Sequence, residues 1–290
     1  SGLLTRMSTT TLGQTNSEPR VGPMVISEVH HTPAEPSFNA QILDASITSQ
    51  QLEFVEISNT TGTFLDLTNW RIRGGIDFEF TPSTTLAPQQ SILIVSWDPK
   101  SEDNADRLAA FRAHHQINNN VPIVGGYRGR LSDFGERVSL QRPDDPPMDS
   151  PNTIPHMLED EVIYDNRTPW PGDTAGTGKS LQRSTTLGYG NFAASWLSAN
   201  ANPGEFDGEV VVRGDFSGDG VVDVQDINLL CTAINGGGDL SFDLTGDGEV
   251  SHKDHFELIE VVLNTSYGDA NLDGIFDSTD LIQVFQAGVY

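Results

Sequence analysis

Three shortages in this chain each remove a class of explanation. One cysteine, Cys231, occurs in 290 residues. No disulfide can form within the chain, so sulfur bridges do not staple its smaller parts. The lone thiol, beside Leu230, is expected to be buried and inert. Basic residues number 16 against 41 acidic ones, a formal net charge of −25. A phosphate backbone calls for a basic face, so nucleic acid is not an expected partner. No run of about 18 apolar residues occurs, and no membrane span is expected. The start, Ser1-Gly2-Leu3, has neither an initiator Met nor a signal-peptide pattern. It reads as a processed or excised piece of something longer.

The acidity that is present is uneven. Residues 205–290 hold 18 acidic and 2 basic side chains, whereas residues 1–204 hold 23 and 14. Eleven of those 18 acids supply side-chain ligand positions in a twelve-residue pattern that occurs three times, at 215–226, 243–254 and 269–280. Positions 1, 3, 5, 7, 9 and 12 are Asp215, Ser217, Asp219, Val221, Asp223 and Asp226 in the first copy. They are Asp243, Thr245, Asp247, Glu249, Ser251 and Asp254 in the second, and Asp269, Asn271, Asp273, Ile275, Asp277 and Asp280 in the third. Position 6 is always glycine: Gly220, Gly248 and Gly274.

Coordination chemistry explains that grammar. A calcium ion takes six to eight oxygens at about 2.3–2.6 Å, and a short loop supplies them from positions 1, 3, 5, 7, 9 and 12. Position 6 turns sharply, which glycine permits at positive φ. Position 7 contributes its backbone carbonyl, so Val221, Glu249 and Ile275 need share no chemistry. Up to three Ca2+ are therefore expected, and they would cancel much of the local charge. The next residue is apolar each time (Val222, Val250, Phe276), which suits two loops pairing through a short strand. Loop two has three ligand carboxylates against four in each of the others, and is expected to bind most weakly.

The flanks refine the pattern. Glu209 to Arg213 reads as a β-like run rather than an entering helix, and helical spacing follows each loop: Ile227, Leu230, Ile234; Phe256, Ile259, Leu263; Leu281, Val284, Phe285. Loop plus exit helix, with Asp at position 12, resembles the dockerin type I repeat over about 207–290. That family usually carries two repeats where this chain has three. The resemblance implies a protein partner, cohesin-like or another copy or segment of the parent protein. Ser278 and Thr279, at loop positions 10 and 11, match the Ser-Thr pair that many dockerins present to cohesins; Val224-Gln225 and His252-Lys253 do not. The third exit helix is expected to pack on the first two units, or on a partner or a segment outside this chain.

Residues 1–21, rich in Ser, Thr, Gly and Gln, read as a flexible linker. From Met24 to about Trp196 the pattern is β: Trp70 to Arg73, Asp77 to Phe80 and Arg137 to Gln141 alternate, and Ile92 to Val95 is a short buried run. Turn clusters such as Asn59 to Gly62 separate the runs, and one helix, Asp103 to His115, interrupts them with Leu108 and Phe111 facing inward. The phrases Val25-Ile26-Ser27-Glu28-Val29, Glu53-Phe54-Val55-Glu56-Ile57, Leu67-Thr68-Asn69-Trp70, Leu131 to Leu140, Asp160 to Tyr164 and Gly178 to Arg183 resemble the lamin-tail domain. The expected architecture is a mainly β N-terminal immunoglobulin-like β-sandwich with one inserted helix (22–206), plus a small α-helical calcium-loop, EF-hand-like module (207–290). Gly204 to Gly208 reads as the hinge between them.

Other constellations are weaker. Gly176 to Ser180 ends like a phosphate loop, but position 173 is Asp and a strand follows. Arg213-Gly214-Asp215 spells an adhesion tripeptide whose Asp already opens a calcium loop. His30-His31, His114-His115 and His156 read as ordinary surface histidines. Trp70 reads as core; Trp97 and Trp170 fall beside loop residues, leaving a sugar-stacking platform open. No Gly-x-Ser-x-Gly elbow is present, and no catalytic residue is assigned. The expectation is a non-enzymatic anchoring or assembly region of a secreted or cell-surface protein. The alternative is a carbohydrate-binding module or an accessory domain of a secreted hydrolase, with a site around Trp97, His114 and Trp170.

Overall fold

All seven residues of β1 (Met24–His30) are buried, because this strand is covered on both faces. The computed structural model describes residues 4, 7, 19–144, 146–147, 153–174, 177–185, 188–205, 212–218, 221–237 and 239–287. The chain divides into two units, one of Ser1–Arg6, Pro19–Thr60 and Phe64–Val210, the other of Met7–Glu18, Thr61–Thr63 and Val211–Tyr290. Most of the expected linker 1–21 lies outside the described residues; within it, the Leu4 carbonyl accepts a 2.8 Å bond from the Leu158 N–H. Residues 206–211, which include Gly208 and the first three residues of the β-like run, also lie outside.

In the first unit, β1 is followed by α1 (Phe38–Leu43), β2 (Phe54–Asn59), β3 (Leu65–Asp66), β4 (Arg71–Gly74), β5 (Ile76–Glu79), β6 (Thr85–Leu86) and β7 (Ser91–Val95). Then come α2 (Ala105–His115), β8 (Ile123–Gly125), β9 (Arg128–Gly129), β10 (Gly135–Pro143), β11 (His156–Asp165), β12 (Lys179–Arg183) and β13 (Trp196–Asn200). One sheet runs β13-β12-β1-β2-β7-β8 and a second β11-β10-β4-β5-β9, with β3 and β6 forming a small ribbon. Ile26, Ile57, Ile94 and Leu181 of the first sheet share one core with Ile72, Val138, Leu140 and Val162 of the second. Two sheets facing each other across such a core make the sandwich that alternation and turn spacing call for.

One strand pair departs from antiparallel pairing. β7 and β8 run parallel, and parallel neighbours need a crossover connection; α2 is that crossover. Phe111 and Ala110 of α2 pack with Phe54, Leu93 and Val95 on the outer face of the first sheet, and Leu108 lies against the same cluster. The single expected helix is thus joined by a second, α1, whose Ala40 enters this cluster. Ser37 caps α1 by accepting from the Ala40 N–H.

A buried ion pair ties the two sheets together. Arg183 of β12 donates to Asp160 of β11 at 2.8 Å, with both side chains essentially inaccessible. Asp160 also accepts from the Ile26 N–H at 2.8 Å, and the guanidinium lies 5.4 Å from the Trp196 ring centroid. An Arg this deep is tolerated because its charge and its two terminal nitrogens find partners, Nε alone having none among the described residues.

The second unit holds α3 (Val224–Gly236), α4 (His252–Phe256, continuing as a π-helical stretch, Glu257–Val262) and α5 (Ser278–Ala287). Val222, Leu230 and Ile227 of the first hand pack with Leu258, Leu244 and Val250 of the second. No entering helix precedes the loops among the described residues; a 3-10 turn, Leu240–Phe242, leads into the second. The short strand expected at position 8 is absent among the described residues, and the hands are joined by side chains instead, Phe216 against Phe242 at 4.6 Å. Cys231 is half-buried rather than buried. Leu281, Ile282, Val284 and Phe285 of α5 are 41–63% exposed, so this helix does not bury its apolar face on the first two hands.

Candidate metal-binding site

The repeated loops and the helices that follow them share residues. Asp223, Ser251 and Asp277, at position 9, each cap the next helix by accepting from the N–H two residues on. The position-12 carboxylate returns the bond: Asp226 accepts from Asp223 N–H, Asp254 from Ser251 N–H and Asp280 from Asp277 N–H, at 2.7–2.8 Å. This reciprocal pair is a capping box with Asp at N3. The other oxygen of each position-12 Asp reaches back to the loop start. Asp226 accepts from Phe216 and Ser217 N–H, Asp254 from Thr245 N–H, and Asp280 from Ala270 and Asn271 N–H. All three position-12 carboxylates are fully buried. Backbone N–H bonds, led by that of Asp277, hold the Asp280 carboxyl below the usual range.

Capping accounts for positions 9 and 12 but not for the rest. The position-1 carboxylates wrap the turn: Asp243 accepts from Gly246 and Gly248 N–H, Asp269 from Asp273 and Gly274 N–H, and Asp215 from Gly218 N–H. Position 6 has φ +88 in both Gly248 and Gly274, and a Cβ there would meet nothing within 4 Å. Glycine is thus required by backbone conformation, not by crowding. Asp219 and Gly220 of loop one lie outside the described residues.

Charge completes the picture. Lys253 pairs with Asp247 at 2.6 Å and holds its carboxyl below the usual range. The other basic residue of this region, Arg213, pairs with Glu257 at 2.8 Å and also donates to the Leu244 carbonyl. Asp269, Asp273, Asp277 and Asp280 of loop three have no Lys or Arg partner among the described residues.

No three His, Cys, Asp or Glu side chains converge as a metal cluster among the described residues. The donors of these loops fit calcium on other grounds. They are all oxygens, hydroxyls (Ser217, Thr245, Ser251) and an amide (Asn271) included, and each carboxylate keeps acceptor capacity beyond its N–H bonds. The carbonyls of Val221, Glu249 and Ile275 belong to the same set.

The other candidates resolve as follows. Arg213 and Asp215 of the adhesion tripeptide are both engaged within the second unit. Lys179 opens β12 and pairs with Asp173 at 2.7 Å; Gly176 lies outside the described residues. These are not ordinary surface histidines: His30 and His31 are buried, and His114, His115 and His156 are half-buried. His30 donates Nε2–H to the Gly178 carbonyl and His115 donates to that of Leu52. Burial lowers His30 to about 3 and His31 to about 4, so both rings are neutral. His114 accepts from the Ser37 N–H, and His156 bonds the Asn69 carbonyl. Trp70, Trp97 and Trp196 are buried, Trp97 donating to the Gln51 carbonyl. Trp170 packs against the core beside Trp196. The four indoles form no exposed platform. An open groove of about 760 Å³ carries charges of both signs, Arg73, Asp77, Glu79 and Arg128 among them.

Two features were missed because charged residues in a strand read as its solvent face. Glu28 of β1 and Glu56 of β2 stand directly opposite each other, both almost fully buried. Burial, then the neighbouring Glu56, raises Glu28 to about 8; burial raises Glu56 to about 7. Separately, burial and then Asp133 raise Glu53 to about 8. Glu53 sits near Tyr127 and Tyr164, whose hydroxyls burial pushes up.

Comparison with known proteins decides the first unit in part. Residues 17–150 match the family model of the Lamin Tail Domain. The lamin tail match ends before β11, β12 and β13, which nonetheless complete both sheets of the sandwich. Seven chains of solved structures match. One is a DUF4876 family protein from Bacteroides thetaiotaomicron, 14% identical, covering 68% of this chain and 73% of that one with a TM-score of 0.34. That likeness is too loose to transfer fold or function. No curated protein matches the chain.

Proposed function

We propose that this chain is a non-catalytic, calcium-stabilised interaction region of a larger extracellular protein. In it, a lamin-tail-like sandwich acts as spacer or docking surface and a dockerin-like module as the assembly device. The observation that carries this reading is the shared construction of the three loops. In each, a buried position-12 Asp and a position-1 Asp gather the loop's own N–H groups, while further acids stand without cationic partners in loop three. Like charges held a few ångströms apart repel, and a bound cation converts that repulsion into folding energy. Side chains at positions 1, 3, 5, 9 and 12 and the carbonyl at position 7 would hold the ion. Affinities of about 10⁻⁴–10⁻³ M would suit extracellular calcium.

The third hand is the docking element in this reading. Ser278 and Thr279 are exposed at the start of α5, beside the exposed Leu281, Ile282 and Val284. Burying such a helix face contributes about 25 cal/mol per Å², which supports a cohesin-like partner or another copy or segment of the parent protein. Calorimetric Ca2+ titration of the full chain tests the ion sites. Up to three sites are expected, with Asp226→Ala, Asp254→Ala and Asp280→Ala each removing one and Asp254→Ala removing the weakest, since Lys253 competes for Asp247. No heat of binding, or loss of the tightest site in Asp254→Ala, would contradict the assignment.

A further inference from the structure

The acidic pair on the first sheet calls for a charge that the chain does not supply. Glu28 and Glu56 face each other across β1 and β2 on the surface opposite the sandwich core. They line a cavity of about 220 Å³ with Ser27, Gln182, Asn202 and Glu205. Glu56 is well held: one oxygen accepts from the Ser27 hydroxyl at 2.6 Å and the other from the Gly204 N–H at 2.6 Å. Glu28 is not. It is 2% exposed, and neither carboxylate oxygen has a hydrogen-bond partner of normal geometry, although Ser180, Gln182 and the Asn202 backbone stand near it. The one guanidinium lining the cavity, that of Arg183, is bonded to Asp160. Two buried carboxylates directly opposite on adjacent strands destabilise a sheet unless something neutralises them.

We propose that this cavity binds a hydrated divalent cation, with Glu28 and Glu56 as its anionic ligands. Three observations select that class of ligand. The lining offers carboxylate, hydroxyl and amide oxygen and no His or Cys among the described residues, which suits a hard cation. A divalent ion cancels both carboxylates, whereas an ammonium group or a single shared proton leaves one buried negative charge. At roughly 30 Å³ per water, the volume has room for an ion that keeps part of its water. That is how Mg2+-like ions bind through one or two carboxylates. Ser27 also accepts from Ser58, which contacts Ser91 at 2.7 Å; this hydroxyl string fixes Glu56 from beneath. The site lies on the sandwich and is independent of the calcium loops.

Mn2+ is the probe, read by paramagnetic broadening of backbone amide NMR signals in the full chain with Ca2+ present throughout. Broadening of residues 27–29, 55–57 and 181–183 is expected in the native chain. In the Glu28→Gln/Glu56→Gln double variant that broadening is expected to need at least about tenfold more Mn2+. Broadening around loops 243–254 and 269–280, where it occurs, serves as an internal reference. Unaffected sandwich signals in the native chain would overturn the proposal, as would broadening that persists undiminished in the double variant. Should the double variant not fold, the native-chain titration and Glu28→Gln alone decide between the same outcomes. A pair that merely shares a proton gives no broadening in either protein.

Discussion

Asp160 and Arg183 show at the scale of one residue how context outweighs composition. Each is a charge in a mostly apolar interior, and each is paired with the other and bonded to backbone groups, Asp160 to β1 and Arg183 to β1 and the Gly188 turn. Removing one partner leaves the other charged and buried. We expect Asp160→Ala to lose about 3–5 kcal/mol in urea unfolding. The paired replacement Asp160→Leu/Arg183→Met should lose less than the sum of the single changes, because it strands no charge. Glu53 makes a converse case. Its folded pKa of about 8 lies above that of an unfolded Glu, so folding favours the protonated form. Its contribution is full below about pH 4.5 and is lost as pH rises through 8. Unfolding free energy measured from pH 5 to 8 should therefore fall less steeply in Glu53→Gln, and a slope unchanged by the substitution would refute that origin. None of these burials was legible in the sequence, where an acid inside EFVEI or SEVH reads as the wet side of a strand.

Elements were more legible, and the reasons are particular. Arg71–Gly74 and Gly135–Pro143 follow from alternation, since one face of each enters the core. α2 follows from the spacing of Leu108 and Phe111. α1 was missed because it is six residues long with only Ala40 buried, while Phe38, Ile42 and Leu43 face outward; no apolar stripe exists to be seen. The turns of the loops were legible because their grammar fixes backbone, glycine at position 6 and Asp at positions 1 and 12 gathering N–H groups. The exit helices start where expected because positions 9 and 12 double as a capping box. What sequence could not supply was the burial of α5, since its apolar face is the same whether covered or bare. The glycines give a clean check. Gly248→Ala and Gly274→Ala meet no atoms, so any loss comes from φ alone, about 1–2 kcal/mol. Each should weaken its own loop's calcium binding and leave the other's unchanged. Equal effects on both loops would mean that the turn is not locally set.

For the whole molecule, the two units rest on different sources of stability. The sandwich has a core shared by two sheets, a second cluster beneath α1 and α2, and a buried ion pair. The second unit has a small core from two hands, a helix with exposed apolar residues and 15 acids against 2 bases over 211–290. A unit of that size with a small core and no disulfide needs another staple. In the proposed reading, ion binding would supply one by mass action, raising stability with free ligand concentration. The most direct measurement is differential scanning calorimetry of the full chain at constant Mg2+, with Ca2+ either supplied or removed by EGTA. Two transitions are expected, the one belonging to the second unit rising by many degrees with Ca2+ and the sandwich transition staying in place. A melting profile that Ca2+ and EGTA leave unchanged would contradict the calcium-stapled module outright.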